Sequence, residues 1–542
     1  MSDALAKALL RRHPEYDSRY EHWEFLRACY EGGREWFDEN LFQYWKEGAD
    51  EYAARKNRAY RFNHSREVVD LVNKYLFRAQ IMRGDENVPE AVRSFWDQST
   101  KEGLDIDYLM RSISKEASIF GRIYVMVDSN RQTSAPLSVA AAREAGIRTF
   151  AYIINPLDAL DMSFDEQDQL NWILIRETTR DDSDFANSSG DIEERLRLWT
   201  RTGWILYRIT EYAPNEALAP GSFVSMVNEQ KYTIEILGQG EHSLGRVPVI
   251  VHDNVEHDSN YYAPSLINDI AYQDRAVANY LSNLDAIIQD QTFSQLAIPA
   301  QALMPGEEEQ TKNKLIEMGT KRIFLYNAEA GVAPQFLSPD PKQVDVIITA
   351  VRQVINEIYH SVGLAGERTK QDNSMGIDNS SGVAKAYDFE RINALLSTKA
   401  KALQRVEHEI VRLVMAWNGE NVPMNADPLK WVKYADTFDV RGLADEFDIA
   451  KKLSEVAAPR TVRRYQMSSL VDKLMPVLPE SERKQVEKEL EEWPVQVAPM
   501  SPNDSSPNGG PPGSTVSDPK ASNQGSVPSE PLGGTTSSGA TK

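Results

Sequence analysis

Cysteine is almost absent from this chain of 542 residues: Cys29 stands alone. No disulfide can close within the chain and a lone thiol makes no metal site, which fits a reducing compartment. Long apolar runs are absent too. Nowhere do about 18 apolar residues follow one another, so no helix is expected to span a membrane. The opening MSDALAKALLRRHPEYDSRYEHWEF has no long apolar run and does not read as a signal peptide. Positive charge is in deficit, with 60 Lys and Arg against 81 Asp and Glu, a net of −21. A static nucleic-acid binder carries the opposite sign, because its affinity comes from neutralising phosphates. An acidic surface serves solubility, or a surface that must not stick to DNA.

Signatures of catalysis are missing as well. There is no GxxxxGK[ST], and GTKR at 319–322 lacks the upstream glycine and the spacing. His408-Glu409 begins an HExxH pattern, but Arg412 stands where the second histidine belongs, and no GxSxG occurs. The eight histidines are scattered. Their densest company is His252, Asp253, His257 and Asp258, residue types that suit a metal or acid–base site and equally a solvated loop after a strand, the reading preferred here. Asp158, Asp161, Asp165 and Asp168 lack the spacing and the glycine of a calcium loop and read as an acidic turn. No cofactor or metal is expected.

Hydrophobic residues make up 41% of the chain, and its length is too great for one core, so several subdomains are expected. The first 115 or so residues read as helices. His13-Pro14 precedes a helix carrying Trp23, Leu26 and Tyr30, and Asn63 is a cap for a helix with Val68, Val69, Val72 and Leu76 inward. Between 118 and 252 the period changes. RIYVMVD, FAYIIN, NWILIRE, GWILYRIT, KYTIEIL and VPVIVHD are short β-rich runs bounded by turn residues, which predicts a mostly antiparallel sheet in an α+β fold. A helix follows over 265–290, ~39 Å long, with Leu266, Ile270, Val277, Leu281, Leu284 and Ile288 on one face. QLAIPA and KRIFLYN then read as strands around a small helix near 307–318, a small α/β insertion at 295–337. Asp340 and Pro341 open the next helix, Val344, Ile348, Val351, Ile355, Ile358 and Val362 mark its apolar face, and Gly363 is its left-handed stop.

The loop GLAGERTKQDNSMGIDNSSG, residues 363–382, is long for a helix connection and carries four glycines. A helix of ~52 Å follows over 383–417, with Phe389, Ile392, Leu396, Leu403, Val406, Ile410, Leu413 and Trp417 at 3- and 4-residue steps and Lys399 as the single break. Its spacing is near a heptad, but Tyr387, Leu395 and Val414 widen the stripe. Two or three shorter helices occupy 443–493. Residues 501–542 are Ser, Pro, Gly, Thr and Asn without an aromatic residue, and the tail from 496 is expected to be disordered. The tail's charges are Asp504, Asp518, Lys520, Glu530 and Lys542, a net of −1, so the acidity belongs to the folded part.

The order of these parts resembles the portal proteins of tailed bacteriophages. HPEYDSRYEHWEFLRACYEG resembles the N-terminus of one portal subfamily, INPLDALDMSFDEQDQLNWILIRE its wing strands, APSLINDIAYQDRAVANYLSNL its first stem helix and SPDPKQVDVIITAVRQVINEIYHSVGL its second. The resemblance covers roughly residues 10 to 495. It implies a wing over 1–262, a first stem helix over 263–294, a clip over 295–337, a second stem helix over 338–362, a tunnel loop over 363–382, a long wing helix and return over 383–440, and a crown over 441–495. It further implies a homo-oligomeric ring, usually of twelve subunits, at one capsid vertex of a virion assembled in the bacterial cytoplasm. Double-stranded DNA enters and leaves through its channel. The terminase large subunit, a head–tail adaptor and the capsid protein are the implied partners.

Under that resemblance Arg368, Thr369, Lys370, Gln371 and Asn373 of the tunnel loop meet passing DNA, Asp372 and Asp378 limit adhesion, and the acidic channel lets the duplex slide. Glu307, Glu308 and Glu309 of the clip face the motor or adaptor, although glutamates also suit the first turn of any solvated helix. Two other classes compete: an enzyme whose long loop is a lid, and a non-enzymatic structural or scaffolding protein of the virion. The absence of a nucleophile–base pair weighs against the first, and the sheet domain against pure scaffolding.

Overall fold

Capping residues and apolar spacing agree along the first 120 residues, and they fold as helices: α1 (Ser2–Leu10), α2 (Pro14–Glu31), α3 (Trp36–Asn40), α4 (Ala49–Arg58), α5 (His64–Leu76), α6 (Glu90–Asp97) and α7 (Ile106–Phe120). The structure is a computed structural model. It describes residues 2–79, 81–84, 88–130, 146–212, 222–255, 261–292, 295–299, 323–326, 333, 335–337, 342–364, 382–419, 431–435, 438, 459–474, 485–486 and 488–491. Pro14 takes the first position of α2, and the His13 ring accepts the Glu15 N–H at 3.2 Å. Asn63 caps α5 by accepting the Arg66 N–H at 2.9 Å. Val68, Val69, Val72 and Leu76 are all buried, as their spacing predicted. The chain forms two compact units, Met1–Val440 and Arg441–Lys542.

Within the first unit two antiparallel sheets follow the helices. β2 (Arg122–Ser129) lies between β3 (Thr149–Ile154) and β10 (Val249–Asp253). Its residues 122–127 are buried on both faces, which explains why RIYVMV reads as a continuous apolar run. The second sheet has the order β4 (Ala159–Phe164), β5 (Leu170–Arg180), β6 (Ile192–Thr200), β7 (Gly203–Glu211), β9 (Gln230–Glu241), β8 (Phe223–Val227). The expected runs are β2, β3, β5, β7, β9 and β10. β4 falls within the stretch that resembles wing strands, and β6 and β8 are additions to the strands read from the sequence. β8 packs against α1.

Three long helices complete the unit. α8 (Ile270–Thr292) begins later than the predicted residue 265. Ser265 is the reason: its hydroxyl accepts the Ile267 N–H at 3.0 Å and donates to Ser118 O at 2.9 Å, while the Leu266 N–H bonds the same carbonyl at 3.0 Å. These bonds hold 265–267 against the end of α7 before the helix can start. Gly121 makes the approach possible. It sits at φ +86, and a Cβ there would lie 1.9 Å from Ala263 O. α8 packs on α4, α5 and α9 (Lys342–Ser361). Asp340 and Pro341, expected to open α9, lie outside the described residues. α10 (Gly382–Trp417) crosses α5, α6, α7 and both outer strands of the β2 sheet. Its residues Ile392, Leu396, Leu403, Val406, Ile410 and Leu413 are buried as predicted.

The buried halves of α8 and α9 are those beside α5. Ile270, Val277 and Leu281 are covered, but Ile288, expected on the inward face, is 46% exposed; Val351, Ile355 and Ile358 are covered, but Val346 is 69% exposed. The two bare halves adjoin a small three-stranded sheet of β11 (Gln295–Pro299), β12 (Ile323–Tyr326) and β13 (Gln335–Leu337), with β11 parallel to β12 and antiparallel to β13. β13 is an addition to the strands read from the sequence, and the helix expected near 307–318 lies outside the described residues. β1 (Met82–Arg83) pairs with β14 (Val432–Lys433). In the second unit, α11 (Arg460–Leu474) falls where the short helices were predicted, and Arg460 donates to Glu491 O at 2.7 Å.

Candidate functional site

The two stretches singled out by the sequence are flanked by described elements. Arg368, Thr369, Lys370, Gln371 and Asn373 lie outside the described residues, as do Glu307, Glu308 and Glu309. The frame of the loop is the junction of α9 and α10. Gly363 has φ +74 and ends α9 as predicted, its N–H bonding His360 O at 3.1 Å and the next N–H, of Leu364, bonding Tyr359 O at 2.8 Å. A Cβ on Gly363 would lie 3.2 Å from Arg391 Cβ and from the Ile392 nitrogen. The loop therefore leaves α9 pressed against the early turns of α10, the same helix to which it returns. Arg391 Nη1 also stands 3.4 Å from His360 Nε2.

Buried polar links fix the three long helices to the helical N-terminal region. On α8, the fully buried Asp274 accepts from the Ser65 N–H at 3.2 Å and the Ser65 hydroxyl at 2.9 Å, and stands 3.5 Å from Arg61 Nη2. On α9, the Tyr359 hydroxyl donates to Glu67 and lies 3.1 Å from His64 Nδ1. On α10, Glu407 accepts from Arg83 at 2.5 and 3.0 Å and from the Tyr434 hydroxyl at 2.6 Å. Burial, and then the neighbouring Glu407 charge, push the Tyr434 hydroxyl well above its ordinary pKa. These pairs are separated by more than 200 residues in α8 and α9, and no spacing in the sequence announces them.

Lys399, the break in the apolar stripe of α10, is 4% exposed. Its ammonium donates to Ser118 Oγ at 3.0 Å and to the Asn254 side-chain carbonyl, two neutral acceptors. Burial pulls its pKa down to about 7. Next to it His252 is buried and held down to about 3, first by burial and then by the charges of Lys399 and Arg405. This neutral histidine lines a cavity of about 320 Å³ with Asp253, Thr398, Ala402, Arg405 and Glu409.

Four of the acidic residues weighed as ligands are occupied by arginines. Asp253 takes both Arg122 nitrogens at 2.5 and 2.6 Å; Asp158 pairs with Arg176 at 3.2 Å, Asp161 with Arg11 at 2.7 Å and Asp165 with Arg201 at 2.5 Å. Asp168 turns the β4–β5 hairpin at φ +56. His257 and Asp258 lie outside the described residues. His408 bonds Val432 O at 3.1 Å, and Glu409 faces Arg246 at 2.9 Å and Arg412. Among the described residues no group of three or more His, Cys, Asp or Glu is placed to hold a metal ion, and no helix is long and apolar enough to cross a membrane. Among the described residues these buried pairs tie the three long helices to the elements around them.

The sequence profile of a family described as phage portal protein, SPP1 Gp6-like, matches residues 11–467. The chain belongs to this portal protein family. The match takes in every element from α2 into α11, both long-helix junctions and the small sheet. Portal proteins are structural components of a phage particle. No curated protein matches the chain. Among solved structures, a chain of the neck of an empty GTA particle, computed with C6 symmetry, is similar at 11% identity and TM-score 0.37, over 82% of this chain and 95% of that one. A chain of the native GTA particle neck, computed with C12 symmetry, is similar at 11% identity and TM-score 0.37, over 75% and 89%.

Proposed function

We propose that this chain is the subunit of a closed ring, of about twelve copies, at the vertex of a phage-like capsid, and that the ring is the channel through which double-stranded DNA is packed and released. The observation that carries the reading is the portal family match over residues 11–467, which spans both long-helix junctions. In this assignment α8 and α9 are the stem helices, 295–337 is the clip, 363–382 is the tunnel loop, α10 is the long wing helix and 441–495 is the crown. The bare halves of α8 and α9, with Ile288 and Val346 exposed, support packing against neighbouring stems, because apolar helix faces of this kind are covered in an assembly.

The loop suits a moving duplex. Gly366 and Gly376 free its backbone. Arg368 and Lys370 offer phosphate brief contacts, and the net charge of −21 per subunit keeps the channel from gripping it. Glu307, Glu308 and Glu309 are assigned to the face that meets the terminase large subunit or the head–tail adaptor. Electron micrographs of the purified protein viewed down the ring axis test the reading, together with its mass in solution. Rings near twelve times the 61.2 kDa subunit are expected; a folded 61.2 kDa monomer at micromolar concentration would overturn it.

A further inference from the structure

The loop between α3 and α4 displays aromatic side chains outward on a rigid mount. Phe42 is 57% exposed, Tyr44 57% and Trp45 79%. The mount is Arg55, buried beneath the loop, which donates to Glu47 at 2.7 and 2.8 Å, to Phe42 O at 2.8 Å and to Ser282 Oγ of α8 at 3.0 Å. Asn279 of α8 adds two bonds: its carbonyl accepts the Phe42 N–H at 3.0 Å and its amide donates to Asn40 O at 2.9 Å. Between loop and helix lies an open cavity of about 630 Å³, lined by Phe42, Tyr44, Asn279, Ala286 and Ile287 among others.

Two cations stand over the aromatic rings of the patch. Arg275 stands over Phe25, Phe42 and Tyr272 at 4.7, 5.2 and 5.1 Å, and Lys46 stands over Trp45 at 4.6 Å. Among the described residues neither cation has a carboxylate partner. Tryptophan, tyrosine and arginine on a preorganised mount are the composition of an interface hot spot, because little ordering entropy remains to be lost on docking.

We propose that this patch of Phe42, Tyr44, Trp45 and Arg275 is the docking surface for a second copy of this chain, engaged by an acidic face of the neighbour. It rests on the ring assembly proposed above. Two arguments fix the occupant. The chain carries −21 net, so an uncompensated cationic patch on it is complementary to the rest of its own surface. Two such patches face to face would oppose Arg275 to Arg275 and Lys46 to Lys46, which disfavours a two-fold dimer. The contact is therefore head-to-tail, the kind that closes into rings.

Analytical ultracentrifugation of the full chain at micromolar concentration tests this. Phe42→Ser with Trp45→Ser, at exposed positions, is expected to lower the ring fraction roughly tenfold or more with unchanged circular dichroism. Arg275→Glu is expected to do the same and Arg275→Lys to retain most rings. Hydroxyl-radical footprinting supplies a second readout: Trp45 is expected to be protected in rings and oxidised in the monomeric Arg275→Glu chain. Rings that persist in all variants overturn this assignment and leave the ring reading intact, whereas a monomeric unaltered chain overturns both. Protection of Trp45 in the monomer would mean that the chain's own residues cover the patch. A short DNA duplex bound by the unaltered protein but not by Arg275→Glu, with rings unaffected, would make nucleic acid the occupant. Either result overturns the proposal.

Discussion

Lys399 is a cation buried against two neutral oxygens, and its effect on stability has a definite sign. Below pH 7 both folded and unfolded chains hold the proton, and the full burial penalty is present. Between about 7, the folded value, and the ordinary lysine value near 10.4, the unfolded chain holds the proton and the folded chain has released it. Stability attributable to this residue therefore rises with pH, by roughly 2 kcal/mol between pH 7 and 9. Lys399→Met should flatten that rise, read as the change in denaturation midpoint between the two pH values in variant and unaltered protein. Equal slopes in both would show that the lysine finds water in solution. Cys29 offers a second check at this scale. Burial raises its thiol to about 11 even though the Trp36 indole N–H donates to it at 3.4 Å. Iodoacetamide at pH 8 should leave it unmodified in the folded protein and alkylate it in guanidinium; rapid labelling under native conditions would contradict the buried placement.

The joints of the long helices give the predictions at the scale of elements. Removing Asp274 strands Arg61 in the interior, so Asp274→Ala should destabilise by about 3 kcal/mol and loosen α8 from α5, seen as a lower Tm and earlier proteolysis within 270–292. A Tm within a degree of the unaltered protein would mean that the pair contributes nothing. Gly363→Ala places a β-carbon at φ +74 against α10 and should destabilise by about 1–2 kcal/mol. Elements of this kind differ in how far the sequence announces them. α2, α5 and α9 were legible because local caps, apolar spacing and stops agree: Pro14, Asn63 and Gly363 all act as their positions predict. β6, IEERLRLWT, was not, because its charges look like a solvated face. In the structure Arg197 pairs with Glu177 at 2.5 Å across to β5, and Glu193 meets Arg208 of β7 at 2.7 Å. Those partners are set by sheet register, which one strand's residues do not encode. Ile288 was misjudged for the opposite reason: its helical spacing is right, but helix period does not say how far a partner extends.

For the whole molecule, the two segments singled out by the sequence should be separable in function from the rest of the chain. Removing 367–378 should leave ring size and Tm nearly unchanged, because the segment joins the end of α9 to the start of α10 and its sequence has few apolar side chains. Arg368→Glu with Lys370→Glu should likewise spare assembly and shorten the DNA packaged or retained in reconstituted heads. Full-length DNA at normal rates would make the loop a plain connector. Reversing Glu307, Glu308 and Glu309 to lysine should impair motor docking or tail joining while rings persist; heads that fill and join tails normally would clear these glutamates of the role. Of the site itself the sequence offered the segments and their chemistry. The frame around them, built on Asp274, Tyr359, Lys399 and Glu407, depends on contacts between distant parts of the chain.

α10 is also the last large piece of the first unit to leave the ribosome, and this sets a timetable for folding. Trp417 donates to Val127 O at 2.9 Å and Lys399 reaches Ser118, spans of 290 and 281 residues. Until these residues emerge, β2, apolar on both faces, lacks the helix that crosses its sheet. At roughly 5–20 residues per second, synthesis from β2 to Trp417 takes some tens of seconds. Once β3 and β10 have paired with its two edges, RIYVMV still lacks the cover of α10 on one face of its sheet, an apolar surface able to stick to that of a neighbouring nascent chain. A chain cut at residue 381 should consequently precipitate or stay bound to a chaperone, and pelleting assays on translated truncations, with and without added chaperone, measure it. Production of the subunit would then be limited by protection of the growing chain rather than by the stability of the finished one.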